Sequence, residues 1–213
     1  MPFFYPSATS GNTSEPFELQ VVRNQIAGHR ALFKFGINGD VGTSVETVWA
    51  QGGTYVYPAS ATVMKISSSS ADDASAGTGA RTIAIFGLDA DYNEISESVL
   101  LDGQTAVNTG NSYLRISRMY VTTAGSGATA AGTIYAGTGT VTSGVPANIF
   151  GVVALGANQT QMAFWTVPAE AIALISMSVF SVKARGVCRS KTKSPLPGTR
   201  EELCCLNTPP KGR

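Results

Sequence analysis

The first 180 residues of this chain contain no cysteine, and the whole chain has a single histidine, His29. Disulfide bonds therefore cannot hold the main part of the chain together. A Ser-His-Asp triad or a histidine-based metal site would have to use His29, and no G-x-S-x-G motif accompanies it. A position on the surface or at a strand end explains this histidine better than a catalytic one.

Charge is also scarce. Lys, Arg, Asp and Glu make up 14% of the chain, against about 25% in an average globular protein. Alanine, glycine, threonine and serine take their place. Low charge weakens electrostatic repulsion between surfaces and favours close packing against other proteins. This composition favours an assembly subunit over a freely diffusing enzyme.

Targeting and nucleotide-binding patterns are missing as well. No stretch approaches the roughly 20 consecutive apolar residues that a membrane-spanning helix needs. The opening hexapeptide, MPFFYP, has neither a basic nor a long apolar region, so the sequence predicts no secretory signal there. Residues 77–79 and 137–139 both read GTG, but neither continues into a phosphate-binding motif. We expect those glycines to serve turns and bulges.

The C-terminal end differs in charge from the rest. Residues 1–180 carry seven Lys/Arg and twelve Asp/Glu, a net charge of −5, whereas residues 181–213 carry eight Lys/Arg and two Asp/Glu, a net charge of +6. The tail, 184–213, is expected to lack regular structure. Its missing aromatic residues argue against nucleic-acid binding. An acidic partner surface, a non-functional extension and altered coding near the end of the reading frame remain alternative explanations.

The three cysteines, Cys188, Cys204 and Cys205, all lie in this tail. Their spacing is not that of a zinc site, and no histidine nearby completes a set of ligands. Adjacent cysteines rarely bond to each other. We therefore expect free thiols.

Residues 17–183 contain short strand candidates separated by turn residues, as is typical of β-structure. Strand candidates recur about every ten residues with glycine between most of them. That spacing is typical of an antiparallel β-sandwich or a jelly-roll-like barrel, so we predict an all-β domain. The predicted strands are 17–22, 30–36, 44–49, 55–58, 61–66, 81–86, 95–101, 113–121, 133–135, 139–142, 149–154 and 161–167, with 172–182 either a strand or a short helix.

The clearest predicted strand is 113–121. Its alternation predicts one face with Leu114, Ile116, Arg118 and Tyr120, and an opposite face with Arg115, Ser117 and Met119.

Residues 1–16 are predicted to form a flexible N-terminal arm, since they are rich in proline, serine, threonine, glycine and asparagine and show no periodicity. The arm carries three aromatic side chains that would be poorly placed in water. Either the arm docks on a neighbouring subunit and buries them, or it folds back on its own domain. The predicted interface candidates are these three residues and three further aromatic residues: Phe3, Phe4, Tyr5, Trp49, Tyr55 and Tyr57.

Two acidic turns are the densest candidates for chemistry. Residues 89–94, DADYNE, begin like a calcium-binding loop but lack its glycine at position six and its glutamate at position twelve. A hairpin turn explains them better. Asp72 and Asp73 lie in a loop of serine, alanine and glycine, where we expect solvent to cover them. No catalytic residue, cofactor or metal site is therefore expected, and we predict a protein that is not an enzyme.

Several short phrases of the chain carry a likeness to known proteins. They are ETVW at 46–49, YVYPAS at 55–60, SSSSADD at 67–73, GARTIAIFGLDADYNEIS at 79–96, NSYLRISRMYV at 111–121, AGSG at 124–127, GTIYA at 132–136 and MAFWTVPA at 162–169. In them the chain resembles virion structural proteins of tailed bacteriophages of the marine and cyanobacterial type. Such relatives continue with further strands after the TVPA segment. Residues 188–213 do not, which would leave an exposed sheet edge.

The resemblance implies a building block of the virion, assembled in the host bacterial cytoplasm. The leading expectation is a capsid decoration or cement protein, a homo-oligomer with a trimer favoured, that binds the major capsid protein or other virion proteins. Neither a membrane nor nucleic acid is an expected partner.

Two alternatives stay open. A tail- or fibre-associated protein would bind host-surface glycans through Trp49, Tyr55, Tyr57 or Trp165. A β-fold polysaccharide hydrolase would need two carboxylates facing each other across a cleft. Its candidates are Asp72, Asp73, Asp89, Asp91 and Glu94.

Overall fold

A computed structural model describes residues 15–174 and the backbone of 186–193 and 200–207. No helix in these ranges is long and apolar enough to span a bilayer. The described elements are α1 (Phe17–Val22), β1 (Glu46–Thr47), β2 (Thr62–Ser68), β3 (Ala80–Leu88), β4 (Glu94–Leu100), β5 (Val107–Tyr113), β6 (Arg115–Ala124), β7 (Ile134–Thr142), β8 (Val145–Val153), β9 (Trp165–Thr166), β10 (Gly186–Lys193) and β11 (Arg200–Asn207).

The chain divides into two compact units. The smaller contains Met1–Phe33 and Ile175–Met177, and the larger contains Lys34–Leu174 and Ser178–Arg213. The predicted arm, 1–16, falls almost wholly outside the described residues.

The described part of the smaller unit begins with α1, where the sequence analysis predicted a strand. That prediction is wrong. Glu18 lies in the first turn of the helix, where a negative charge favours the helix dipole. A 2.6 Å ion pair between Glu15 and Arg23 then ties together the chain on either side of the helix. Local interactions of this kind override the strand propensity of this short apolar run.

The larger unit is built on two antiparallel sheets. One has four strands in the order β5-β2-β7-β8, and the other has three in the order β4-β3-β6. The prediction of an all-β protein with an antiparallel sandwich is confirmed. Residues 89–93 connect β3 to β4 as a hairpin, as predicted, and Ser143 and Gly144 connect β7 to β8.

Both sheets contribute side chains to one hydrophobic core. Met64 and Ile66 of β2 are fully buried, as are Ile83 and Ile85 of β3. They are two residues apart because alternate side chains of a strand point to the same face. Burial of each such side chain contributes about 1.5–3 kcal/mol to stability.

The predicted alternation of β6 is wrong in its second half. The register against β3 shifts within β6, so that Ser117 is one extra residue and forms a β-bulge. As a result Ile116 and Met119 are both buried in the core, although the sequence placed them on opposite faces. Arg118 and Tyr120 lie on the outer side of the sheet, where Arg118 is exposed and Tyr120 is half-buried.

A third sheet contains β1, β9 and the two C-terminal strands. β11 pairs antiparallel with β10 and also with β1 and β9. The sequence analysis expected no regular structure in 184–213, but 186–193 and 200–207 are strands. The short strands β1 and β9 offer unpaired backbone groups, and pairing with β11 satisfies them. The register places Cys188 opposite Cys205.

Three other predictions differ from the structure. Residues 30–36 and 55–58, predicted as strands, pair with no strand in the described part of the chain. β5 was not predicted, since its sequence, VNTGNSY, has few apolar residues. Residues 172–174 are irregular, and the rest of the predicted element 172–182 lies outside the described residues.

Candidate functional site

Asp73 is fully buried, which corrects the expectation that solvent covers it, while its neighbour Asp72 is exposed. The Asp73 carboxylate accepts four hydrogen bonds. The donors are the hydroxyl of Ser68 (2.6 Å) and the backbone N–H groups of Ala80 (2.7 Å), Ala131 (2.8 Å) and Gly132 (2.8 Å). We call Asp73 and these four donors the carboxylate node.

The carboxylate node is a structural joint. It links the end of β2, the start of β3 and the loop before β7. Gly79 lies against the carboxylate so closely that a Cβ there would overlap Oδ1 of Asp73. Both carboxylate oxygens of Asp73 are buried and accept hydrogen bonds from four donors, so they are not accessible to a substrate.

The turn at Asp89 is the hairpin turn that the sequence predicts. Asp89 Oδ1 accepts hydrogen bonds from the backbone N–H groups of Asp91 and Asn93, both at 2.9 Å. The N–H group of Asn93 is the main reason that the pKa of Asp89 is lowered. Within the described residues, no group of three or more His, Cys, Asp or Glu is placed to hold a metal ion.

The two acidic turns lie at opposite ends of β3. Asp73 binds the N–H group of Ala80 at its start, and Asp89 follows Leu88 at its end. A nine-residue strand spans about 26 Å. Paired carboxylates of glycosidases lie about 5–9.5 Å apart. The two turns are therefore too far apart for a carboxylate of one to act together with a carboxylate of the other, as a hydrolase would need.

Trp49 and Tyr55, predicted as interface candidates, are buried in a second core of the larger unit. Their rings meet edge to face with centroids 4.9 Å apart, and Tyr55 donates a 2.9 Å hydrogen bond to the carbonyl of Phe150. Burial raises the pKa of Tyr55. These two side chains stabilise the fold and offer almost no surface to a partner or a glycan.

The remaining predicted aromatic candidates have mixed positions. Tyr57 is half-buried, with the Arg115 guanidinium 5.0 Å from its ring centroid, and Trp165 is half-buried in β9. Phe3, Phe4 and Tyr5 lie outside the described residues.

His29 is exposed, as predicted. Its ring lies edge to face with Phe17 at 5.4 Å, and its Nδ1 lies 3.1 Å from the carbonyl of Ala27.

A groove runs along the outer side of β6. Residues 157–161 form its far wall, since the N–H of Val121 donates to Asn158 O (2.8 Å) and that of Thr160 to Met119 O (2.9 Å). Its volume is about 400 Å³. We call it the β6 groove, and its lining residues are Arg118, Tyr120, Val121, Ala157, Asn158, Gln159 and Gln161.

Aromatic, cationic and amide groups meet at the β6 groove. The rings of Phe86 and Tyr120 stack with centroids 5.7 Å apart and planes 15° apart. The Arg118 guanidinium lies 4.9 Å from the Tyr120 ring centroid and donates a 2.8 Å hydrogen bond to Gln159 Oε1. Phe86 is 38% exposed. This arrangement places an aromatic pair, of which Phe86 is the more exposed member, beside several hydrogen-bonding groups.

A second cation lies beside Arg118. Lys34 donates a 2.5 Å hydrogen bond to the carbonyl of Ser117, the bulge residue. Burial, and to a smaller extent the charge of Arg118, lowers the pKa of Lys34 to about 8. Among the described residues, Glu15 and Arg23 form an ion pair. Neither Lys34 nor Arg118 has a carboxylate partner within these residues.

Replacing Lys34 by methionine should remove a pH dependence of stability. Below pH 8 Lys34 is charged in the folded and the unfolded chain, so the folded chain bears the full cost of burying the charge. Between about pH 8 and 10.5 the folded chain loses this proton while the unfolded chain keeps it. Wild type therefore gains stability relative to Lys34→Met as the pH rises through this range.

Urea unfolding of both proteins at several pH values tests this prediction. Because the other titratable groups are the same in both proteins, their effects cancel in the difference between the two unfolding free energies. A difference in unfolding free energy that stays constant across the range would contradict the assignment.

The β6 groove was missed by sequence reasoning. Alternation marked Arg118 and Tyr120 as one face, but nothing in the sequence located the bulge at Ser117 or the strand-like pairing of 157–161. Comparison of the chain with protein-family models, curated proteins and solved structures finds no match.

Proposed function

We propose that this protein is a non-enzymatic structural subunit of a phage virion, a capsid decoration protein that binds other virion proteins. The observation that carries the proposal is a segment, 34–38, that Lys34, Gly36 and Asn38 anchor to the larger unit while Ile37 remains exposed. The low charge of the chain supports the proposal, because weakly charged surfaces pack closely.

Alternate residues anchor this segment to the larger unit. Lys34 binds the carbonyl of Ser117, and Asn38 Nδ2 donates a 2.9 Å hydrogen bond to Glu46 Oε2. Between them Gly36 lies so close to the backbone of Ala163 that a Cβ would come within 2.5 Å of its nitrogen. Contacts of Lys34, Gly36 and Asn38 thus hold the segment to the larger unit.

The intervening residues present apolar side chains. Phe35 already interacts with another residue, whereas Ile37 is 52% exposed. Phe35 and Ile37 alternate with the three anchoring residues along the segment. Val45 and Val56, elsewhere in the same unit, are also exposed. We infer that Ile37 is buried by a neighbouring subunit or by the capsid, since removing an apolar side chain from water is favourable.

The likeness to virion proteins that the sequence suggests also supports the proposal. Three of its phrases, 67–73, 79–96 and 132–136, contribute residues to the carboxylate node. The proposed mechanism is mechanical: contacts repeated by the symmetry of the particle add many weak interactions into strong attachment. The arm 1–16 would add aromatic anchors to these contacts.

Replacing Ile37 by serine should weaken binding to empty capsids of the phage that encodes the protein, by about tenfold, because an apolar anchor is lost from the interface. Co-sedimentation over a range of protein concentrations measures the effect. Leu155→Ser is the matched control, since Leu155 is 67% exposed on the loop after β8, outside the segment. Equal binding by Ile37→Ser and wild type would refute the role of the segment.

A further inference from the structure

Phe86, which is 38% exposed, and the half-buried Tyr120 form an aromatic pair beside the β6 groove. Axial C–H groups of a pyranose ring are apolar, and they pack on aromatic faces through dispersion and the ring quadrupole. Phe86 lies opposite Arg118 in the pairing of β3 with β6, so the rings and the guanidinium belong to one side of the sheet. The stack is therefore placed to support a sugar ring that enters the groove.

The groove wall supplies hydrogen-bonding groups. Gln159 accepts from Arg118 through Oε1, so its amide still has N–H donors for a ligand. Gln161 and Asn158 add further amides along the same wall. Convergent polar groups beside an apolar surface are the usual composition of a ligand site. Their spacing along an open groove suits the hydroxyl groups of an extended chain of sugars.

The charge of the groove favours an acidic ligand. Its lining contains Arg118 and no carboxylate. Lys34 lies near enough for the charge of Arg118 to act on it. A guanidinium binds a carboxylate through two parallel hydrogen bonds, which a neutral hydroxyl cannot match. Arg118 is therefore the cation that an anionic group in the groove would meet, and Lys34, which lies outside the lining, adds only its charge.

We propose that the β6 groove binds an acidic oligosaccharide, with Arg118 holding a uronate carboxylate and Phe86 and Tyr120 supporting the sugar rings. This site goes beyond the proposed function and does not depend on it. Nucleic acid fits the groove less well. Polynucleotide binding needs cations that track many phosphates, whereas the lining of the groove holds one cation, Arg118.

Isothermal titration of the full chain with hexagalacturonate tests the proposal. The control ligands are maltohexaose, a neutral hexasaccharide, and a single-stranded oligothymidylate, a polyanion with stackable bases. We expect hexagalacturonate to bind and maltohexaose to bind at least about tenfold more weakly, since the charged hydrogen bonds are lost. Tighter binding of the oligothymidylate than of the sugar would overturn the proposal in favour of nucleic acid.

Two variants assign the binding to the groove. Arg118→Gln should weaken hexagalacturonate binding about tenfold or more, and Tyr120→Leu should weaken both sugars. Lys65→Gln removes the same charge from β2, in the other sheet, and should leave binding unchanged. Thermal melting of each variant checks that it is folded. Absence of hexagalacturonate binding, or equal binding by Arg118→Gln and wild type, would overturn the proposal whatever the capsid experiments show.

Discussion

Replacing Asp73 by asparagine lowers the free energy of unfolding by about 3–5 kcal/mol. The buried carboxylate accepts four hydrogen bonds and donates none. An asparagine can accept only through its oxygen, so its NH₂ group would face two N–H or O–H donors in a site without water access. The variant would therefore lose two charge-assisted hydrogen bonds and leave buried donors without acceptors.

Asp72 provides the matched control for this experiment. It precedes Asp73 but is exposed, so Asp72→Asn should change the unfolding free energy by less than about 0.5 kcal/mol. Urea unfolding of the two variants and wild type gives the comparison. If Asp73→Asn were as stable as Asp72→Asn, the carboxylate node would not be the joint that we describe.

Replacing Gly144 by alanine should lower the free energy of unfolding by about 3 kcal/mol or more. Gly144 has a φ of +78° in the turn between β7 and β8, which costs an L-residue about 1–2 kcal/mol. In addition, a Cβ at Gly144 would overlap the carbonyl oxygen of Ser68. The turn or the end of β2 would have to move, and Ser68 is also a donor in the carboxylate node.

A substitution at Gly53 measures the cost of the positive φ apart from the cost of the steric overlap. The φ of Gly53 is +67°, but nothing lies within 4 Å of a Cβ placed on it. Gly53→Ala should therefore cost only the backbone term, about 1–2 kcal/mol. Thermal or urea unfolding of both variants measures the difference. Equal losses for Gly144→Ala and Gly53→Ala would mean that the turn does not pack against β2 as the structure has it.

Both variants act on the same part of the core. The hydroxyl of Ser67 donates to the carbonyl of Gly144, while Ser68 donates to Asp73. Mutations that share partners are not additive. A double variant, Asp73→Asn with Gly144→Ala, should thus lose less stability than the sum of the two single losses.

The sequence was most informative where strands alternate and turns have their own chemistry. β3 and β4 and the turn at Asp89 were predicted because apolar residues alternate on both sides of a run of Asp, Asn and Gly. The fold class followed from the repetition of such units. These features are local, so one sequence is enough to show them.

The predictions that were wrong concern features that depend on tertiary contacts. Nothing in the residues around Asp73 shows that a segment far along the chain, at Ala131 and Gly132, delivers N–H groups to it. The bulge at Ser117 likewise depends on the register against β3, so the burial of Met119 was not visible. Aromatic residues such as Trp49 pack in a core or bind partners with the same chemistry, and only the fold separated the two.

Lys34 connects the two surfaces to which we assign functions. It anchors the apolar segment 34–38 to β6, and its charge adds to that of Arg118 at the groove. Variants of Lys34 would affect both surfaces. Ile37 and Arg118 each belong to only one surface, and they are therefore the residues that distinguish capsid attachment from sugar binding.

The central claim, that this chain is an assembly subunit, is tested most directly by mass-resolved light scattering of the purified protein, alone and mixed with empty capsids. We predict a homo-oligomer, with a trimer favoured, that elutes together with the capsids. Deletion of residues 1–16 should abolish that association. A protein that remains a monomer at every concentration and elutes apart from the capsids would contradict the claim.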